Sequence, residues 1–321
     1  MNRELLSRIA ETLYWIGRYV ERADDIARLL DVALRRSLAG EEDGSAVFAI
    51  LGHPGEPGDS RPPTAETMVR RLAYDAGEPS SIAGCVRAAR ENARGVRDII
   101  SSEAWECLNV TWNELPVVRG DAERLGPHVF LRYVRERAAM FSGLADATMS
   151  RDDGWRFIVL GRSLERADMT SRLLAVYHSS VADPSDPASP TWRLLLEACG
   201  ADESFTRIHR GDRDRVVEFL LLDRLFPRSV MHALTTTERC LAELAPYLGR
   251  AGMADPARAA IGRIRTTLEY TEADALPAGL PEILSALQEA VTAATGAITG
   301  RFFQHTAPAG WVRGGSAWAG V

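Results

Sequence analysis

The residues best placed to do chemistry occur as two matching sets. The stretch GRYVERADDIARLL, Gly17 to Leu30, returns 144 positions later as GRSLERADMTSRLL, Gly161 to Leu174, with nine of fourteen positions identical and five of those nine charged. On a helix of 3.6 residues per turn, Gly17, Glu21, Asp24 and Arg28 form one stripe, and Gly161, Glu165, Asp168 and Arg172 form its twin. Arg18 and Arg22, matched by Arg162 and Arg166, stand one column aside, while Ile16, Tyr19, Val20, Ala23, Ile26, Ala27 and Leu30 make the opposite, core-docking face.

A solvated helix face needs only polarity, so charges kept by type in both copies ask for specific partners. Two readings follow. In one, the boxes interlock as a buried ion-pair network across a pseudo-twofold axis. The repeated glycine, which costs a helix interior about 1 kcal/mol relative to alanine, then marks a close backbone approach. In the other, Glu21 and Glu165 point into a shared cleft as candidate catalytic groups, or bind a cation, an amine or a partner's basic group. Arg18, Arg22, Asp24, Arg28, Arg162, Arg166, Asp168 and Arg172 would then serve as binding groups. Copy one carries Asp25 where copy two carries Met169, which makes the Glu21 box the more acidic and the expected functional site.

A second constellation lies in CVRAARENARGVRDIISSEAWECLN, Cys85 to Asn109, where Arg87, Arg90, Arg94 and Arg97 fall on one helix face. The face is either a solvated one, with Glu91 and Asp98 as partners four residues after an arginine, or an anion-binding one. Like charges so close call for anions, so Arg90, Arg94 and Arg97 are expected near a box carboxylate or a concave pocket. Glu103 follows a capping serine and suits the dipole of the next helix.

Familiar catalytic templates are missing. No histidine has a glutamate three residues before it, and the sequence has no G-x-S-x-G, no HExxH and no phosphate-cradling glycine loop. All 38 basic residues are arginine, so neither a lysine Schiff base nor a P-loop lysine can operate. No cofactor is evident, no metal set is assigned, and a cation held by carboxylates alone is the one metal chemistry left open.

The elements that must position these charges are helical. Apolar residues recur with a 3.6-residue period over 2–39, 65–76, 80–101, 103–115, 128–149, 154–180, 190–198, 212–224, 228–248, 255–271 and 280–303, separated by Gly/Pro loops at 52–63 and 182–190. The repeat extends beyond the box. LAYDAGEPSSI, Leu72 to Ile82, matches LLLDRLFPRSV, Leu220 to Val230, at Asp75/Asp223, Pro79/Pro227 and Ser81/Ser229. The expected architecture is all-α, an internally duplicated helical bundle with pseudo-twofold related halves. Its expected parts are a first helical repeat at 1–150, a second packed on it at 151–303, and a C-terminal tail at 304–321.

A net charge of −6 over 321 residues argues against a nucleic-acid coat. Four cysteines without CxxC spacing read as buried thiols of a reducing compartment. The N-terminus is not built like a signal peptide, and no run approaches a membrane span. The expected location is cytoplasmic, without membrane or nucleic-acid partners.

Taken together, LYWIGRYVERAD with LGRSLERAD, RENARGVRDIISSEAWECLN and FLLLDRLFPRSV resemble the signatures of the alpha-E family, an all-helical bacterial domain of unknown function named for a Glu-Arg motif. The resemblance places that motif on Glu21–Arg22 and again on Glu165–Arg166. It implies a setting beside circularly permuted ATP-grasp proteins, often with a transglutaminase-like protease. The chain would then be a partner subunit of a peptide-synthesising or peptide-modifying system, binding the ligase or its peptide product. The alternative is an enzyme acting on an amide or peptide substrate through the boxes. ATP would enter only through a separate ATP-grasp partner.

Overall fold

Long amphipathic segments and well-formed caps build the chain from helices. The computed structural model describes residues 7–38, 45–52, 63–180, 191–246, 250–273 and 276–303. The expected tail at 304–321, the loop at 182–190 and nearly all of the loop at 52–63 lie outside the described residues. The elements in order are α1 (Ser7–Leu38), α2 (Ser45–Ile50), α3 (Ala65–Met68) running into a π-helical turn (Val69–Tyr74), α4 (Ile82–Gly95), α5 (Ser102–Leu125), α6 (His128–Thr148) and α7 (Asp153–Ser180). There follow α8 (Thr191–Ala198), α9 (Asp202–His209), a 3-10 turn (Arg213–Arg215), α10 (Val216–Leu222), α11 (Val230–Leu244), α12 (Ala251–Ala254), α13 (Pro256–Glu269) and α14 (Leu276–Phe302). No strand occurs among the described residues.

Where the helices depart from expectation, local chemistry explains it. The helix expected to stop at residue 115 runs through Pro116 to Leu125. A proline removes one hydrogen bond, and the buried Leu115 and Ala122 on either side of it keep α5 docked on α6. The helix expected over 80–101 ends at Gly95, and Ser101 opens the next one by accepting the Ala104 N–H at 3.2 Å. The expected helices do not include α2 or α9, which the structure forms over six and eight residues. The Pro-x-Ser elements behave alike. Ser81 accepts the Gly84 N–H at 2.9 Å and Ser229 the His232 N–H at 3.1 Å, and each hydroxyl also donates to the carbonyl of the preceding Asp75 or Asp223.

Two helices sit at the centre. α1 carries α4 and α6 on its flanks, α7 carries α11 and α14, and α1 and α7 pack on each other. Tyr14 approaches Gly161, Gly17 approaches Ile158, and Arg22 bonds Glu165. Because these pairs keep a nearly constant separation along the chain, α1 and α7 run in the same direction.

Candidate functional site

The box glycines set how closely the central helices approach. A Cβ at Gly17 would collide with the Ile158 carbonyl oxygen and stand 3.0 Å from the Arg162 amide nitrogen. A Cβ at Gly161 would collide with the Tyr14 carbonyl oxygen and stand 3.1 Å from the Arg18 nitrogen. Backbones this close carry the charged residues one turn further along into each other's reach, so the charged stripe faces a helix instead of water.

Around Glu165 the arrangement is base-rich. Arg22 reaches over from α1 and binds its carboxylate with both arms of the fork, Nε at 2.6 Å and Nη2 at 3.0 Å. Arg18 adds a second contact through Nε and lies 4.0 Å from Asp168. Burial opposes ionisation of Glu165, yet Arg18 and Arg22 outweigh it and hold the carboxyl below its ordinary range.

Around Glu21 it is acid-rich. Arg166 makes the same fork from α7, at 2.7 and 3.0 Å. The second guanidinium does not come from Arg162, which instead lies 3.5 Å from Asp146. It comes from Arg228, two residues before α11, which reaches Glu21 at 2.8 Å and also contacts Asp24 and Asp25. Burial opposes ionisation here too, but Arg166 and Arg228 hold the Glu21 carboxyl down at about 2. Asp25 goes the other way. Burial pushes it well above the usual range, and its neighbours Glu21 and Asp24 add to the push against Arg228. One oxygen of Asp24 and one of Asp25 accept no hydrogen bond. Glu21, Asp24 and Asp25 each offer an oxygen within 4.8 Å of the others, a spacing that could suit a metal ion, and the Arg228 guanidinium already supplies positive charge at that point.

Of the two readings of the boxes, the interlocked one describes this geometry. Glu21 is 3% and Glu165 1% exposed, so the expected shared cleft does not form. Farther along, Arg28 bonds Asp24 at 3.1 Å and Arg172 bonds Asp168 at 2.9 Å. Each of these arginines lies against a glycine brought in from the other half of the chain, Arg28 against Gly200 and Arg172 against Gly52. Both glycines have left-handed backbones, with φ of 63° and 70°, a conformation that disfavours side chains and leaves room for the guanidinium.

The second constellation does not join this network. Arg90 donates to Asn109 at 3.2 and 3.1 Å and pairs with Glu91. Arg94, 62% exposed, lies 3.7 Å from Glu91, and Arg97 lies over the Trp105 ring. Of the expectation that Arg90, Arg94 and Arg97 lie near a box carboxylate or a concave pocket, the box-carboxylate part is corrected, because the neighbours described for them, Asn109, Glu91 and Trp105, are local to α4 and α5. Glu103 is exposed in the first turn of α5.

Sequence reasoning overlooked Arg228 and the partner role of Asp25. A signal was present. Where the second copy has Arg228 within FPRSV, the first has Ser80 within EPSSI, and where the first has Asp25 the second has Met169. The two departures from the repeat meet in space as an ion pair.

Comparison with known proteins adds a family. The chain is 27% identical to uncharacterized proteins of Mycobacterium bovis and Mycobacterium tuberculosis strain CDC 1551, and 26% identical to one of strain H37Rv. These alignments cover 87% of this chain and 35% of theirs, so the chain spans about a third of the length of the curated relatives it matches. No solved structure matches. The family described as Alpha-E, a predicted alpha-helical domain with a conserved ER motif, matches residues 5–303. With the Glu-Arg pairs Glu21–Arg22 and Glu165–Arg166 at the heart of its helix pairing, the chain belongs to the Alpha-E family.

Proposed function

We propose that the chain is a helical partner subunit of an ATP-grasp-type peptide-synthesising or peptide-modifying system, and that its Glu-Arg motif holds the fold while other surfaces bind the ligase or its peptide product. The observation that carries this reading is the saturation of both motif glutamates. Each is buried and meets two guanidiniums. A general acid or base must reach the proton it moves, and neither carboxylate has a path to one. The alternative reading, an enzyme working through the boxes, lacks an accessible acid or base at that position.

Two further features support a partner role. In the mycobacterial relatives the matching region occupies about a third of a longer chain, so there the domain works tethered to other segments. Four buried free thiols, with burial pushing Cys85 and Cys199 up to about 12, suit a reducing cytoplasm. The fold itself reads as a duplication with pseudo-twofold related halves, supported by matched contacts across the repeat: Gly17 on Ile158 and Gly161 on Tyr14, Arg22 on Glu165 and Arg166 on Glu21, Arg28 on Gly200 and Arg172 on Gly52.

The test is to purify the chain with a circularly permuted ATP-grasp protein encoded beside it, and to assay the pair and each component for ATP-dependent amino-acid ligation. Association together with ligation that needs both components is the expected result. Turnover by this chain alone, abolished by Glu21→Gln or Glu165→Gln in a protein that still folds, would overturn it.

A further inference from the structure

A cavity of about 310 Å³ opens on the first half of the chain, away from the box charges. Its walls are aromatic and aliphatic. Tyr74 stands edge-on to Phe130 with ring centroids 4.9 Å apart, and Trp112 and Leu115 of α5 close the other side. The volume and lining match those of small-ligand sites, which are mostly apolar with a few placed polar groups.

Those polar groups are specific. Among the described residues Arg119 is the one charged residue lining the cavity, and its guanidinium lies 5.0 Å from the centre of the Tyr74 ring. Its Nε donates to Glu123 at 3.0 Å, and the terminal nitrogens of the fork have donors to spare. Burial and Glu123 push the Tyr74 hydroxyl up, so it stays a donor. On α5, the helix that also carries Arg119, Pro116 has no N–H and deprives the Trp112 carbonyl of its usual helical donor. That carbonyl and the Asn113 amide offer acceptors beside the aromatic walls. Among the described residues no carboxylate lines the cavity to pair with an ammonium group.

We infer that this cavity binds the C-terminal residue of a peptide, its apolar side chain among Tyr74, Trp112 and Phe130, its carboxylate on Arg119, and its amide N–H toward the Trp112 carbonyl. The apolar walls take the side chain, the cation takes the carboxylate, and a lining with neutral acceptors but no carboxylate favours an amide N–H over the ammonium of a free amino acid. The choice of a peptide end over another acylated carboxylate rests on the reading of the chain as a subunit of a peptide-making system. The site itself rests on the cavity.

Titration calorimetry of the whole chain with N-acetyl-L-phenylalanine, its C-terminal amide and free L-phenylalanine tests this. The acid should bind about tenfold or more tightly than the amide, the difference a charge-assisted hydrogen bond supplies, and more tightly than the free amino acid. Arg119 is half exposed, so Arg119→Gln should fold normally and erase the preference for acid over amide. Glu123→Gln frees the guanidinium and should strengthen binding of the acid. Equal binding of acid and amide, free phenylalanine binding as well as the acetylated form, or an Arg119→Gln variant that keeps the preference would each overturn the inference. So would no binding of any of the three. A failed ligation assay with this binding intact removes the partner reading and leaves the site standing.

Discussion

The two ends of the α1–α7 ion-pair network start from the same sequence and differ in how they are neutralised. At one end a single carboxylate, Glu165, receives two guanidiniums, Arg18 and Arg22. At the other, three carboxylates, Glu21, Asp24 and Asp25, share Arg228, and Glu21 also takes Arg166. Carboxylates and guanidiniums differ in how they meet a deficit of partners. A buried aspartate can take up a proton, whereas an arginine stays charged. The base-rich end is therefore rigid in its requirements, and the acid-rich end has slack.

The largest expected effect follows from that difference. Glu165→Gln leaves Arg22 without its carboxylate and Arg18 with only the more distant Asp168, 4.0 Å away, in a buried setting, and should cost about 3–5 kcal/mol. Glu21→Gln should cost clearly less, because Arg228 keeps Asp24 and Asp25 and Arg166 also reaches the Pro227 carbonyl at 3.4 Å. Urea unfolding of both variants measures the gap, and equal losses would show that the ends are equivalent after all.

Gly17→Ala and Gly161→Ala sharpen the comparison by removing it. Each adds a Cβ onto a backbone carbonyl of the facing helix, so the pair should lose similar amounts, about 1–3 kcal/mol, typical of overpacking. A large loss from only one of them would mean that the close approach is relieved on one side.

A double-mutant cycle on Arg228→Ser and Asp25→Met converts the acid-rich end toward the residues the other copy carries. Arg228→Ser takes the guanidinium from the buried Asp25, Asp25→Met removes one of the three carboxylates around Arg228, and the double change should recover about 0.5–3 kcal/mol relative to the sum. Strict additivity would break the claim that the two departures from the repeat compensate each other.

The smallest effect is on pH dependence. Asp25 is raised in the folded state, so its contribution is fully present below its unfolded value of about 3.9 and is lost as pH rises through the raised folded value. Glu21 is lowered to about 2, so its contribution is present above its unfolded value of about 4.3 and is lost as pH falls toward 2. Melting temperature should therefore rise modestly on mild acidification from neutral pH and fall in strong acid. Asp25→Asn should abolish the rise and keep the fall, and a rise that persists in the variant would assign it to another group.

Much of this was legible in the residues. The 3.6-residue period and the Pro-x-Ser caps gave the helices, because both act over a few neighbouring positions. The repeated Gly-Arg-x-x-Glu-Arg-x-Asp box pointed to an interlocking network, because a glycine and fixed charges on one stripe make sense when another helix lies against them. The arginine face of α4 was misplaced for the converse reason. Spacing shows which side chains share a face and leaves open what that face meets, and here Asn109, Glu91 and Trp105 were near enough to satisfy it.

By itself, the sequence determined the helical class, the paired boxes and the charges that would have to be matched, since helix period, capping and residue type are local properties. Only the tertiary structure decided how those charges are matched. Arg228 lies 207 positions from Glu21 in the chain, and Arg162, the expected symmetric partner, turns to Asp146 instead. Packing then set the protonation behaviour, with Arg166 and Arg228 holding Glu21 low against the effect of burial and burial raising Asp25 four residues away. The electrostatics of a buried carboxylate depend on every charge within a few ångströms, and which charges those are is fixed when the helices pack.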